Sequence, residues 1–401
     1  MSSVRRPDHQ HRPDHRADLR HVLTHLVTPL LMCIGMGLAY LGAFANPSPH
    51  HLPVAVVGSG SGAQVLAQSI NDKSDGALDV RTVGSRAEAV DQLKHQEIFG
   101  AYVMDTHASG SGAAHATAGG TAKAAPELVV ATAGSDTTAT VVQKIFTPIA
   151  AQQGVPLKVT DVAPPAEDDP TGQGIFFLMV AVSIGSYASV AVIGGAGGVL
   201  PIRMRAMLAV GTSFVVGILG TLFAGPVFHI VDHGLWGLWG MAWLYSAGIL
   251  LIGTGLHTFL KRWTTLGVMA LFVMLNFTSA GGVFRPEMQN GFFASLHAFW
   301  NGAGFVEGTR SHVYFDGNGL AGHVWTLVLW LVVGVAVVAV AALAEARRRR
   351  AAASAAANAT AVAAAAVAAT VPERRPAHGA ADGHGTSGGA AEEEMEEAVG
   401  V

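Results

Sequence analysis

Charge is scarce in this sequence. Asp, Glu, Lys and Arg make up 13% of its 401 residues, where a soluble domain usually carries about a quarter. Half of the residues are hydrophobic and the mean hydropathy is +0.40, so lipid is expected to be part of the solvent. Cysteine is reduced to Cys33, which excludes a disulfide framework and a cysteine zinc site. The net charge of −4 carries no basic excess of the kind nucleic acid requires. The chain lacks a glycine-rich loop ending in Lys-Ser/Thr, so it cannot hydrolyse ATP by the P-loop route. It shows no Ser/His/Asp, Cys/His or paired-carboxylate constellation. The sequence therefore offers no catalytic residue, cofactor or metal ligand set, and an enzyme is not expected. No Asp or Glu stands in the middle of an apolar run, which argues against a proton-coupled transporter.

What the chain does have is length in its apolar runs. A helix needs about 20 mostly apolar residues to cross a bilayer, and six stretches qualify: Val22 to Ala45, Ile175 to Gly197, Ala206 to Ile230, Leu235 to Leu256, Thr264 to Gly282, and Val324 to Ala344. The basic residues gather between them. Arg5, Arg6, Arg12, Arg16 and Arg20 precede the first run. Arg203 and Arg205 follow the second, Lys261 and Arg262 the fourth, and Arg347 to Arg350 the last. With six spans these segments share one side, and the excess of Lys and Arg makes that side cytoplasmic. Both termini are then cytoplasmic, in a multi-pass protein of the cell membrane. The first run has a basic front and ends Ala43-Phe44-Ala45, as a signal peptide does. Its apolar core is longer than a signal core, and it is expected to be retained.

The fold expected is an all-α bundle of six transmembrane helices with a small extracytoplasmic α/β domain inserted between helices 1 and 2. Residues 1–21 form a basic cytoplasmic segment and residues 22–45 the first helix. Residues 46–172 form the outer domain and its linker. Residues 173–346 form five helices with an outer loop at 284–323, and residues 347–401 a cytoplasmic tail without fixed structure, whose alanine-rich start can extend the last helix. Inside the outer domain, Pro53 to Val57, Leu78 to Val83, Ile98 to Met104, Glu127 to Thr132 and Leu157 to Val162 read as strands. Ala63 to Asp72, Ser85 to Gln96 and Asp136 to Gln153 read as helices, the second opening on a Ser85/Glu88 capping box. Thr106 to Lys123 reads as a flexible loop.

Several motifs have a chemical and a plainer reading. Gly58-Ser59-Gly60-Ser61-Gly62 lies where a phosphate-binding loop would, but its glycine spacing fits no nucleotide fingerprint and a tight turn is expected. His9, His11, His15, His21 and His25 read as part of a membrane-surface segment rather than a metal site. The glycines of the spans read as sites of close helix approach. The outer loop holds Arg285, Pro286, Glu287, Trp300, Glu307 and Arg310 among clustered aromatics. It reads as interfacial or re-entrant structure that caps the bundle, or as an outer gate.

Three segments carry a resemblance: PVAVVGSGSGAQVLAQSI after the first span, RAEAVDQLKHQEIFGAYVMD, and NFTSAGGVFRPEMQNGFFASLHAFWNGAGFVEGTR before the last span. In their order and topology they resemble the membrane subunits of ABC type-2 exporters, and within these the phage-infection-protein-like permeases. The resemblance implies a homo- or heterodimer in the lipid bilayer, often with a separate ATPase docking on the cytoplasmic loops, here the N-terminal basic segment and the turn with Pro201, Arg203 and Arg205. The function it implies is an export-type permease subunit that moves a hydrophobic or amphipathic compound, or an envelope component. The alternative is a non-transporting surface protein whose outer domain binds an envelope partner or a phage.

Overall fold

The computed structural model describes residues 15–104, 125–152 and 154–370. The arginines, aspartates and histidines before His15, the loop read at Thr106 to Lys123, and the acidic end of the tail lie outside them. Helix α1 (His15–Phe44) leads into a mixed five-stranded sheet: β1 (Leu52–Val57), α2 (Ser61–Ser74), β2 (Leu78–Val83), α3 (Arg86–Lys94), β3 (Ala101–Val103), β4 (Glu127–Val130), α4 (Asp136–Gln152) and β5 (Lys158–Asp161). The strand order is β2-β1-β3-β4-β5, and only the β3–β4 pair is antiparallel. The expected strands are present; the third and fifth are shorter at both ends and the fourth at its far end.

Alternation along β1 explains the layering. Val54 and Val56 join a core with Ile70 of α2 and Phe146 of α4. Ala55 and Val57 join one with Leu93 and Ile98 on the α3 side. Successive side chains of a strand point to opposite faces, so the sheet is covered on both. The edge strand β2 is covered by Asn71, whose amide donates to Val80 O (2.9 Å) and accepts from Val80 N (2.8 Å), which blunts an otherwise open ladder. The capping box forms with one shift. Ser85 Oγ accepts from Glu88 N (3.2 Å), while Glu88 Oε2 accepts from Gly84 N (3.1 Å) rather than from the capping residue itself. Arg86 grips Glu127 with two nitrogens, at 2.9 and 3.0 Å. This hydrogen-bonded pair holds the Glu127 carboxyl below its ordinary range and fastens the start of α3 to the start of β4.

The remaining elements are helical: α5 (Gly174–Gly195), α6 (Ile202–Leu222), α7 (Leu235–Leu260), α8 (Thr264–Met269), α9 (Asn276–Ser279), α10 (Gly291–His297), α11 (Asn301–Tyr314) and α12 (Leu320–Thr370). Asp169 caps α5 by accepting from Gly174 N (2.8 Å) and Gln173 N (3.2 Å). Five stretches are long and apolar enough to cross a membrane: Leu26–Phe44, Gly174–Val199, Ile202–Val227, Leu235–Ser279 and Leu320–Val367. The fourth merges two of the six expected spans, and it is not one straight rod. Lys261 has φ 48° and ψ −113°, a break in the helix. Beyond it, Asn276 Nδ2 donates to Tyr245 Oη at 2.6 Å. On a continuous helix at about 1.5 Å per residue those residues would stand about 46 Å apart, so the chain turns back at Lys261. A π-helical stretch, Ala270–Leu275, joins α8 to α9.

The alanine-rich start of the segment at 347–401, read with the tail, is helical through Thr370, because alanine has the highest helix propensity of any residue.

Candidate functional site

The segment read as an outer loop at 284–323 is interior along α11, while Phe292 and Phe299 before it are exposed. From Asn301 to Ser311 every residue is buried. Two sets of hydrogen bonds fix its path. Going in, Asn290 Nδ2 donates to Gly42 O (2.9 Å), the His297 imidazole Nδ1 meets Ser279 O (2.9 Å), and Trp300 Nε1 donates to Leu271 O (3.2 Å). Coming out, Asn301 Nδ2 donates to Tyr245 O (3.3 Å) and the His312 imidazole Nε2 meets Gly234 O (3.0 Å). These two contacts, on α7 and its cap, are eleven residues apart, about 16 Å along the helix. Helices α10 and α11 are therefore the arms of a hairpin that folds into the helical bundle, with Trp300 and Asn301 at its tip.

Small residues make the insertion possible. A Cβ on Gly302 would lie 2.9 Å from Met179 Sδ, and one on Gly304 would lie 3.2 Å from His323 O. The tip is tied by a polar chain: Ser183 Oγ to Tyr245 Oη (2.5 Å), Asn276 Nδ2 to Tyr245 Oη (2.6 Å), and Gly302 N to Asn276 Oδ1 (2.6 Å).

Above the tip lies an ionic cluster. Arg285 Nη1 donates to Glu307 Oε2 (2.9 Å), and Arg310 Nη1 donates to Glu307 Oε1 (3.0 Å) and Gly281 O (2.8 Å). Each carboxylate oxygen thus takes one guanidinium. The three side chains are 8, 2 and 1% exposed for Arg285, Glu307 and Arg310. Glu287 stands 3.6 Å from Arg285 Nε at the rim. Buried ions cost several kcal/mol each to desolvate, so this arrangement has to be compensated by the pairing.

The residues singled out from the sequence divide as follows. Arg285, Glu307 and Arg310 converge, with Glu287 beside them. Pro286 starts the single 3-10 turn Pro286–Met288, and Trp300 is at the hairpin tip instead of in the cluster. The residues of the expected docking turn are placed differently from one another. Pro201 precedes α6 and Arg203 is exposed, but Arg205 is 4% exposed and ion-paired to Glu345 of α12, whose carboxylate also accepts from Ile202 N (3.3 Å). A guanidinium held inside its own chain is not offered to a partner, and only Arg203 presents charge there. Glu307, outside the apolar runs of the sequence, is nonetheless a buried acid within the helical bundle. Sequence reading missed Tyr245, Asn276 and Asn301. A lone asparagine in the apolar run Thr264 to Gly282 was the available signal. Among the described residues no group of three or more His, Cys, Asp or Glu side chains is placed to hold a metal ion.

No family model, curated protein or solved structure matches this chain.

Proposed function

We propose that the chain is an export-type permease subunit of the cell membrane, moving a hydrophobic or amphipathic compound outward. It passes the membrane six times, with both termini cytoplasmic and the sheet domain outside. The observation that carries this reading is the hairpin folded into the bundle, with its buried Arg285–Glu307–Arg310 cluster. An anchor for a surface domain needs only apolar helices. Ions sunk into the bundle are costly and belong to a protein whose interior changes arrangement. The hairpin ends about midway, so it closes one half of a path and leaves the other to the bundle below. The turn at Lys261 supports the sixth pass, and the placement of Arg203, Lys261, Arg262 and Arg347 to Arg350 supports the orientation. Energy comes from a partner subunit, an ATPase that engages the cytoplasmic face.

Reconstitution tests the reading. Liposomes holding the chain with a co-expressed ATPase are expected to move an amphipathic fluorescent dye at least tenfold faster than liposomes holding Glu307→Gln in the same complex. Equal rates for the two, or no dye movement with any ATPase that co-purifies, would leave the surface-protein reading in its place. Topology is checked separately in intact cells, in a Cys33→Ser background. Ser74→Cys is expected to react with an impermeant thiol reagent, and Ala351→Cys is not. The reverse pattern rejects the orientation.

A further inference from the structure

Residues 283–287 form the strap that leads from α9 into the hairpin, and the sheet domain holds it at three successive points. Thr137 Oγ1 donates to Val283 O (3.1 Å). Arg285 Nη1 donates to Gln96 Oε1 (2.9 Å), and its guanidinium carbon lies 4.6 Å from the centre of the Phe99 ring. His50 N donates to Glu287 O (2.7 Å). The same Nη1 of Arg285 holds Glu307 of α11, so one nitrogen joins the sheet domain to that helix. Gln96 has φ 56°, a left-handed backbone that a non-glycine residue adopts only at a cost in strain. It is the residue that presents the amide to Arg285.

We propose that the sheet domain is the lock of the hairpin. While Gln96 and Phe99 hold Arg285, Glu307 keeps both of its guanidinium partners and α11 stays seated. When the sheet domain lets go of Arg285, one oxygen of Glu307 loses its fixed partner inside the bundle, and α11 becomes free to leave. This inference rests on the permease reading in taking the hairpin as the gate, and it assigns the control of that gate to the outer domain. Allosteric control needs an element with two arrangements and a contact that differs between them. The hairpin is that element, and the shared Arg285 is that contact.

The test reads exposure of α11 in the detergent-solubilised full chain, without transport. In a Cys33→Ser background, Ser311→Cys is a near-isosteric probe at a fully buried position. Adding Gln96→Gly and Phe99→Leu removes the two sheet-domain side chains that hold Arg285. Glycine suits the left-handed backbone and leucine keeps most of the volume. Maleimide labelling of the probe thiol is expected to speed up at least tenfold in the double variant and at least threefold with Gln96→Gly alone. The single variant supplies the reading if the double one unfolds. Lys94→Ala removes the exposed Lys94–Asp316 pair (3.0 Å) without touching Arg285, and is expected to leave labelling within twofold of the parent. Unchanged labelling in the Gln96 variants, or an equal rise with Lys94→Ala, overturns the proposal. Failure of the permease reading would appear separately, as absent dye movement with the labelling effect intact.

Discussion

Replacing Glu307 with alanine is expected to destabilise the protein by about 3–5 kcal/mol, the cost of stranding charge after one partner of a buried pair is removed. Arg285 and Arg310 would be left facing each other with no carboxylate between them. In detergent the thermal midpoint should fall by roughly 4–6 °C. Replacing all three residues together, Arg285→Met, Glu307→Met and Arg310→Met, removes the stranded charge along with the pair. Buried ion clusters exchanged for apolar residues of similar volume are often neutral or stabilising. The triple variant is therefore expected to recover most of the midpoint and none of the dye movement. A single variant that melts with the parent would mean that the cluster is hydrated and the packing around α11 looser than described. A triple variant that still transports would detach the cluster from function.

The second large effect is expected at Asn276→Leu. Asn276 is the junction between the hairpin tip and the bundle. It donates to Tyr245 Oη and accepts from Gly302 N, both at 2.6 Å. Leucine has a similar volume but strands the Gly302 N–H, and an unmet buried donor costs about 1–3 kcal/mol. Tyr245 keeps Ser183 as a partner (2.5 Å), so its loss is smaller. Hydrogen exchange around residues 298–304 should speed up at least tenfold, with the ends of the bundle unaffected. Tyr245→Phe removes one hydroxyl and leaves the Gly302 bond in place. Its effect should be less than half as large in free energy. If Tyr245→Phe proved the more damaging of the two, the tip would be held through α7 and not through α9.

The parts of this molecule that sequence reading recovered are those decided by neighbours along the chain. The strand Leu78–Val83 is written in its alternation, and α3 in its serine and glutamate three residues apart. The apolar helices are written in their length. What sequence reading missed is decided across long separations. Arg205 looks like a free surface charge until Glu345, far along the chain, is brought beside it. The segment after Phe284 looks like an exposed loop because Arg285, Glu287, Glu307, Arg310 and Asp316 fall within it, in a chain where charge is scarce. Only when Arg285 and Glu307 meet does that density become an interior cluster. The capping Arg310 stands three residues from Glu307 on one helix face, a visible local hint, yet the same spacing is common on solvated helices. The inward course was legible only in its small residues, Gly302, Gly304 and Gly308, which admit close helix approach without saying from which side.

The order of the strands has a mechanical consequence. Because β3 is parallel to β1 and antiparallel to β4, the starts of β1 and β3 and the finishes of β4 and β5 share one end of the sheet, and that end holds Arg285. The glycine run at residues 58–62 follows β1 at the opposite end. Strand β3 is laced on both sides, and its lead-in is laced as well, with Phe99 N donating to Pro53 O and Ala55 N to Gly100 O, both at 2.9 Å. A load placed on the far end has no slack to take up. It reaches Phe99 along β3, a strand paired to β1 on one side and β4 on the other. The sheet is built to transmit a displacement across its height and not to absorb one.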